Sequence, residues 1–149
     1  LVLVPAWAAL DQLYMQTPNL LLFALLIVWV ADIGAYFVGR GFGRVKLAPE
    51  VSAGKTWEGV LGGLTAVTVL AALGSRLLDI EIAVLVPLAL AMAMLSIVGD
   101  LTVSMFKRAA SVKDSGTLFP GHGGVLDRID SVTAAAPLFA LALAWIGLA

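Results

Sequence analysis

A small set of residues in this chain is of a type and spacing to do chemistry. Asp100, Ser104, Lys107 and Arg108 stand at i, i+4, i+7 and i+8, so on a helix they form one polar stripe. Asp127, Asp130 and Ser131 stand at i, i+3 and i+4 and form a second stripe at the start of another helix. Two carboxylate-bearing helix ends joined by one loop can converge on a hard cation such as Mg2+, which takes oxygen ligands and commonly bridges to phosphates. A plainer reading stays open, in which Asp100 pairs with Lys107 and Asp127 complements a helix dipole. Between the stripes lie Lys113 and Asp114, then His122 in Gly121-His122-Gly123-Gly124. Those glycines let the backbone approach a phosphate, and their amides can form an anion nest. Asp114 is either a further ligand or a solvated loop charge.

Two more positions lie upstream. Asp32 is followed by Gly34 and Tyr36, and Lys55 opens the run Lys55-Thr56-Trp57-Glu58-Gly59. A carboxylate at membrane depth marks a functional site by default, the alternative being a structural pair with a lysine or a tyrosine hydroxyl.

The elements that must carry these residues are apolar. The chain is 61% hydrophobic and 13% charged, with a mean hydropathy of +1.03, against roughly 25% charged for soluble domains. Gln12 to Ala31, Gly59 to Ser75, Ile82 to Gly99 and Ser131 to Ala149 contain no Asp, Glu, Lys or Arg. Each approaches the ~17–25 residues of a spanning helix. The expected fold is therefore an all-α, polytopic transmembrane helix bundle: four complete transmembrane helices, with Leu1 to Leu10 as the end of an earlier one. The whole of residues 1–149 reads as one membrane-embedded domain, the C-terminal part of a longer protein. With no cysteine, this stretch holds no disulfide, thiolate metal site or cysteine nucleophile.

Eight of the nine basic residues fall in two segments, Arg40 to Lys55 and Lys107 to Arg128. The positive-inside rule places both on the cytoplasmic side. The chain between them crosses twice, turning near Asp79-Ile80-Glu81. Glycines and Pro49 in Gly39 to Ser52 argue against a continuous helix there. Gly59 and Gly63, with Gly62 adjacent, give the Gly-x-x-x-Gly spacing of closely packed membrane helices. Pro87 is expected to bend the third span.

The run from Ser104 to Asp130 resembles the signature of the phosphatidate cytidylyltransferases (CDP-diacylglycerol synthases): Ser-x-x-Lys-Arg, then Lys-Asp-x-Gly, then Pro-x-His-Gly-Gly-x-x-Asp-Arg-x-Asp. A second block, Asp32-Ile33-Gly34-Ala35-Tyr36 through Lys46-Leu47-Ala48-Pro49 to Lys55-Thr56-Trp57-Glu58-Gly59, is similar to the same family. Ala53 stands where that family usually has proline, a departure that concerns loop rigidity. Together the blocks span about two thirds of the chain, far more than a short motif match.

The resemblance implies that CTP and phosphatidate react to CDP-diacylglycerol and pyrophosphate, with Mg2+ as cofactor and a second cation left open. It places Asp100, Lys107, Arg108, Lys113, Asp114, Asp127, Arg128 and Asp130 in the catalytic set, Asp100, Asp127 and Asp130 among them as metal ligands. Asp32, Lys55, Ser104, His122, Gly123 and Gly124 then serve to bind the ligand. The basic residues offset the repulsion between two phosphate-bearing substrates, whereas Arg40, Arg44 and Lys46 read as topology and headgroup contacts. His122 needs no general-base role, because a phosphate monoester is already ionised near neutral pH. Bilayer lipids are expected partners, nucleic acid is not, and a homodimer is left open. Three rivals remain: a CTP-dependent lipid kinase, a CDP-alcohol phosphatidyltransferase, whose Asp-Gly-x-x-Ala-Arg motif is absent, and an ion-coupled transporter. Transporters bind near the midplane, while the polar residues here gather toward one face.

This topology has a direct check. Arg44→Cys and Ser111→Cys, placed singly, should react in intact cells with a membrane-permeant thiol reagent and resist an impermeant one. Labelling of both from outside would invert the orientation.

Overall fold

A computed structural model of the chain describes residues 3–16, 18–109 and 126–146. Five helices and one small hairpin follow in the order α1 (Leu3–Gln16), α2 (Pro18–Phe42), β1 (Lys46–Ala48), β2 (Ser52–Thr56), α3 (Trp57–Leu78), α4 (Ile82–Ala109) and α5 (Leu126–Ile146). Three of them, α2, α3 and α4, are long and apolar enough to cross a membrane, and α5 contributes a shorter apolar stretch, Ser131–Trp145. The chain is an integral membrane protein.

Helix boundaries depart from the charge-free runs in an instructive way. The run from Gln12 to Ala31 belongs to two helices, α1 ending at Gln16 and α2 starting at Pro18. Proline suits a first helical turn, where its missing N–H costs no hydrogen bond. At the other end α2 continues past Ala31 to Phe42, and α4 past Gly99 to Ala109. Asp32 and Asp100 therefore do not sit at helix ends. Ten residues of α2 follow Asp32 and nine of α4 follow Asp100, which at 1.5 Å per residue is about 15 and about 14 Å of helix.

Between α2 and α3 the segment expected to be a loop forms the antiparallel pair β1–β2, with Lys46 opposite Thr56, Ala48 opposite Ser52 and an irregularity between. The hairpin is tied to the helix that follows it. The Trp57 N–H donates to the Val45 carbonyl at 3.0 Å, and the Val45 N–H donates to the Glu58 carboxylate at 3.2 and 3.3 Å. Thr56 ends β2 and caps α3, its hydroxyl accepting from the Gly59 N–H at 3.1 Å. The far end of α3 closes on Asp79 in the left-handed conformation, φ 54° and ψ 37°, its N–H bonded to the Ser75 carbonyl. Glu58 in the first turn and Arg76 in the last both complement the helix dipole. The expected turn at Asp79 to Glu81 then leads into α4, which contains Pro87.

Lipid gives little apolar drive for helices to associate, so contact area and close approach must supply it. The α2–α3 pair achieves this through glycine. A Cβ on Gly63 would meet the Ala31 carbonyl oxygen at 2.6 Å, one on Gly59 the Ala35 carbonyl oxygen at 2.7 Å, and one on Gly62 the Val38 side chain at 2.4 Å. The packing role expected of Gly59 and Gly63 is thus the one the structure shows. Leu13, Ile27, Val67, Leu85, Met92, Phe139 and Leu143 fill the interior. The outside is equally apolar: Leu77 and Trp145 are 85% and 93% exposed, as suits a lipid-facing skin. Hydroxyls inside this environment bond to their own helices, Ser96 to the Ala93 carbonyl at 2.8 Å, Thr68 to Leu64 at 2.8 Å and Thr102 to Val98 at 2.7 Å.

Gly63→Ala should cost about 1–3 kcal/mol through overpacking against the backbone of α2. Gly41→Ala, whose Cβ would meet nothing within 4 Å, should be neutral or slightly stabilising. Reversible unfolding of both variants in mixed micelles checks the contrast; equal stabilities would refute the close-packing account.

Candidate active site

One cavity is lined by residues of four elements, its polar side chains coming from α2, β2 and α4. From α2 come Asp32, Ala35 and Tyr36, from β2 Ser52, Gly54, Lys55 and Thr56, from α3 Gly59 and Val60, and from α4 Ile97 and Asp100. Its volume is about 350 Å³. Helical spacing explains the α2 and α4 contributions, since i, i+3 and i+4 share a face. Ser52, Gly54 and Thr56 alternate along β2, so one face of the strand lines the same space. Strand backbone is compatible with a membrane protein where it borders a cavity rather than lipid.

The central interaction is an ion pair between the Lys55 ammonium and the Asp100 Oδ2 atom. The two side chains are 27% and 26% exposed. The other carboxylate oxygen, Oδ1, lies 3.4 Å from the Ser104 hydroxyl, which donates to it one helical turn along α4. Asp32 lines the same cavity, so Asp32, Asp100 and Lys55 together carry one more negative than positive charge. Asp100 thus pairs across the fold with a residue of the hairpin.

Tyr36 forms part of the wall, and its hydroxyl accepts a hydrogen bond from Arg40 Nη1 at 2.7 Å. The same guanidinium lies 6.0 Å from the ring centroid, and Phe37 meets the ring edge-on at 5.6 Å. Arg40, read from sequence as a topology residue, is therefore bonded to a residue of the cavity wall. A second recess, about 510 Å³, is bordered by Gly41, Phe42, Gly43, Arg44 and Glu58.

Of the residues singled out in the sequence, the structure brings together Asp32, Lys55, Asp100 and Ser104. Lys107 and Arg108 occupy the last turn of α4, about 10–12 Å of helix beyond Asp100. Lys113, Asp114, His122, Gly123 and Gly124 lie outside the described residues. Asp127, Arg128 and Asp130 fall in the first two turns of α5, which packs against α4; their side chains are outside the description. Among the described residues no three His, Cys, Asp or Glu side chains cluster as a metal site. Sequence reasoning missed Ser52, Thr56, Val60 and Ile97 as wall residues. Ser52, Gly54 and Thr56 do alternate at period 2, but over a five-residue strand that is too short a run to mark them in the sequence.

A model of the cytidylyltransferase family matches residues 5–146. The chain belongs to that family. It is 55% identical over 126 residues to the phosphatidate cytidylyltransferase of Haemophilus influenzae, covering 80% of this chain and 44% of that protein. With the phosphatidate cytidylyltransferase of Pseudomonas aeruginosa the identity is 52% over 151 residues, 97% of this chain and 55% of that protein. The protein of that name from Brucella suis is 47% identical over 122 residues, 81% and 45% of the two chains. The chain spans about half the length of these curated relatives. The cavity that holds the Lys55–Asp100 ion pair lies where the hairpin meets α2, α3 and α4.

Thr56 holds the hairpin, the helix cap and the cavity wall together. Thr56→Ala should lower stability by about 1 kcal/mol through loss of the cap, and Thr56→Ser should recover most of it. Denaturation midpoints of the two variants in the same micelles measure this, and an unchanged midpoint for Thr56→Ala would remove the cap from the account.

Proposed function

We propose that this chain is the catalytic portion of a phosphatidate cytidylyltransferase, which converts CTP and phosphatidate to CDP-diacylglycerol and pyrophosphate at the bilayer surface. The observation that carries the reading is the convergence of Asp32, Lys55 and Asp100 in one cavity inside an apolar bundle, in a chain whose relatives bear that name. Ionisable groups held at such a depth are costly unless they serve a ligand or one another. The partners are phosphatidate, CTP and bilayer lipids. The basic segments face the cytoplasm, where CTP is found, and the membrane is the inner membrane of a bacterium.

In this reading an oxygen of the lipid phosphate attacks the α-phosphorus of CTP. A new P–O–P linkage forms as the bond from the α-phosphorus to its bridging oxygen breaks, and pyrophosphate leaves with the electron pair. No proton needs to be removed from the nucleophile, so the residues act by position and charge. Lys55, Lys107, Arg108, Lys113 and Arg128 offset the repulsion between the two anionic substrates. His122, Gly123 and Gly124 hold phosphate oxygens through the ring and the backbone amides. The cavity's donors suit Mg2+: Asp32 and Asp100 carboxylates beside the Ser52 and Thr56 hydroxyls are all oxygen. Asp100, Asp127 and Asp130 would hold the ion, with Asp114 assisting. When bound, Mg2+ supplies charge neutralisation on the phosphates and orients the leaving group.

The bond broken tests the reading against a lipid kinase. With full-length protein, CTP labelled in the cytosine ring and phosphatidate as acceptor, label should enter the organic phase with one pyrophosphate per turnover. Asp100→Ala should cut this by roughly a hundredfold or more, the scale of losing one preorganised electrostatic contact. Label retained in water as cytidine diphosphate, with phosphate gained by an added lipid alcohol, would overturn the assignment.

A further inference from the structure

We propose that Lys55 is the resident counter-cation of Asp100, displaced when a divalent cation takes the carboxylate, and that the released ammonium then serves the phosphates of the nucleotide. The inference rests on the reading of Asp100 as a metal ligand and adds the order in which the site must fill.

Both oxygens of Asp100 are engaged, Oδ2 by the Lys55 ammonium and Oδ1 by the Ser104 hydroxyl. An inner-sphere cation at Oδ2 therefore cannot bind while Lys55 stays in place. The pair is only about a quarter exposed, so a lone Asp100 carboxylate would be costly, and the site needs a cation there at all times. Lysine suits a post that is held and then vacated: its charge is a compact point on a flexible four-carbon stem, with no planar fork to lock it onto a carboxylate.

A divalent cation bound by carboxylates commonly bridges to substrate phosphates, so Lys55 is freed in the state that has an anion to receive. Lys55 also sits one residue before Thr56, which caps α3, so its stem can swing while its backbone stays fixed. A purely structural role would instead make the Lys55–Asp100 contact a permanent tie between hairpin and α4.

The two roles differ in what removing Lys55 does to metal affinity. Mn2+ binding to full-length protein in micelles without nucleotide, read from the free-ion electron paramagnetic resonance signal, should tighten in Lys55→Gln by roughly tenfold or more, since a competing charge is gone. Lys55→Arg, whose guanidinium can grip the carboxylate in bidentate fashion, should weaken Mn2+ binding several-fold, and this arm stands even where Lys55→Gln fails to fold. CTP binding in the presence of Mn2+ should weaken in Lys55→Gln. Equal or weaker Mn2+ affinity in Lys55→Gln, or unchanged affinity in Lys55→Arg, overturns the exchange while Asp100→Asn still abolishes the site. Mn2+ affinity indifferent to Asp100→Asn overturns the metal reading and the exchange with it.

Discussion

The close approach of α2 and α3 is the contact on which the rest of the molecule depends. Gly59, Gly62 and Gly63 leave no room for side chains against the backbone of Ala31 and Ala35 and the Val38 side chain. That contact brings the Asp32 face of α2 against the root of the hairpin. It thereby fixes where β2 runs, and so where Lys55 meets Asp100 of α4. In lipid, where burial of apolar surface gives helices no strong reason to associate, such backbone proximity is what makes the arrangement specific.

A second constraint acts on every polar group in the bundle. Water is scarce, so each hydroxyl or charge must find its partner in the protein. Thr65, Thr68, Ser75, Ser96 and Thr102 solve this within their own helices. Asp100 solves it across elements, through Lys55 and Ser104. The difference separates residues that merely tolerate the membrane from those that make the site: local bonds shape nothing beyond one turn, whereas the cross-element pair defines a cavity.

Much of this was legible in the sequence. The charge-free runs gave the number and order of the long helices after Pro18, and Asp79 to Glu81 read as the turn it is. Asp32, Lys55 and Asp100 were singled out by residue type and motif before their proximity was visible. What the runs could not show was where helices end. Asp32 and Asp100 interrupt an apolar pattern without interrupting a helix, because a cavity compensates their charge. The pairing of Asp100 with Lys55 was also hidden, since spacing reports neighbours along one helix and is silent about a residue 45 positions away. The hairpin escaped for a related reason: glycine and proline signalled a break in helix, and two short strands with an irregular register carry too little alternation to stand out.

Thr56 is at once the last residue of β2 and the cap of α3, so no linker separates the strand from the membrane helix. A joint without slack leaves the strand no freedom to reorient alone: the direction in which α3 leaves the hairpin sets the backbone of Lys55, one peptide unit away, and so the place from which its ammonium reaches Asp100.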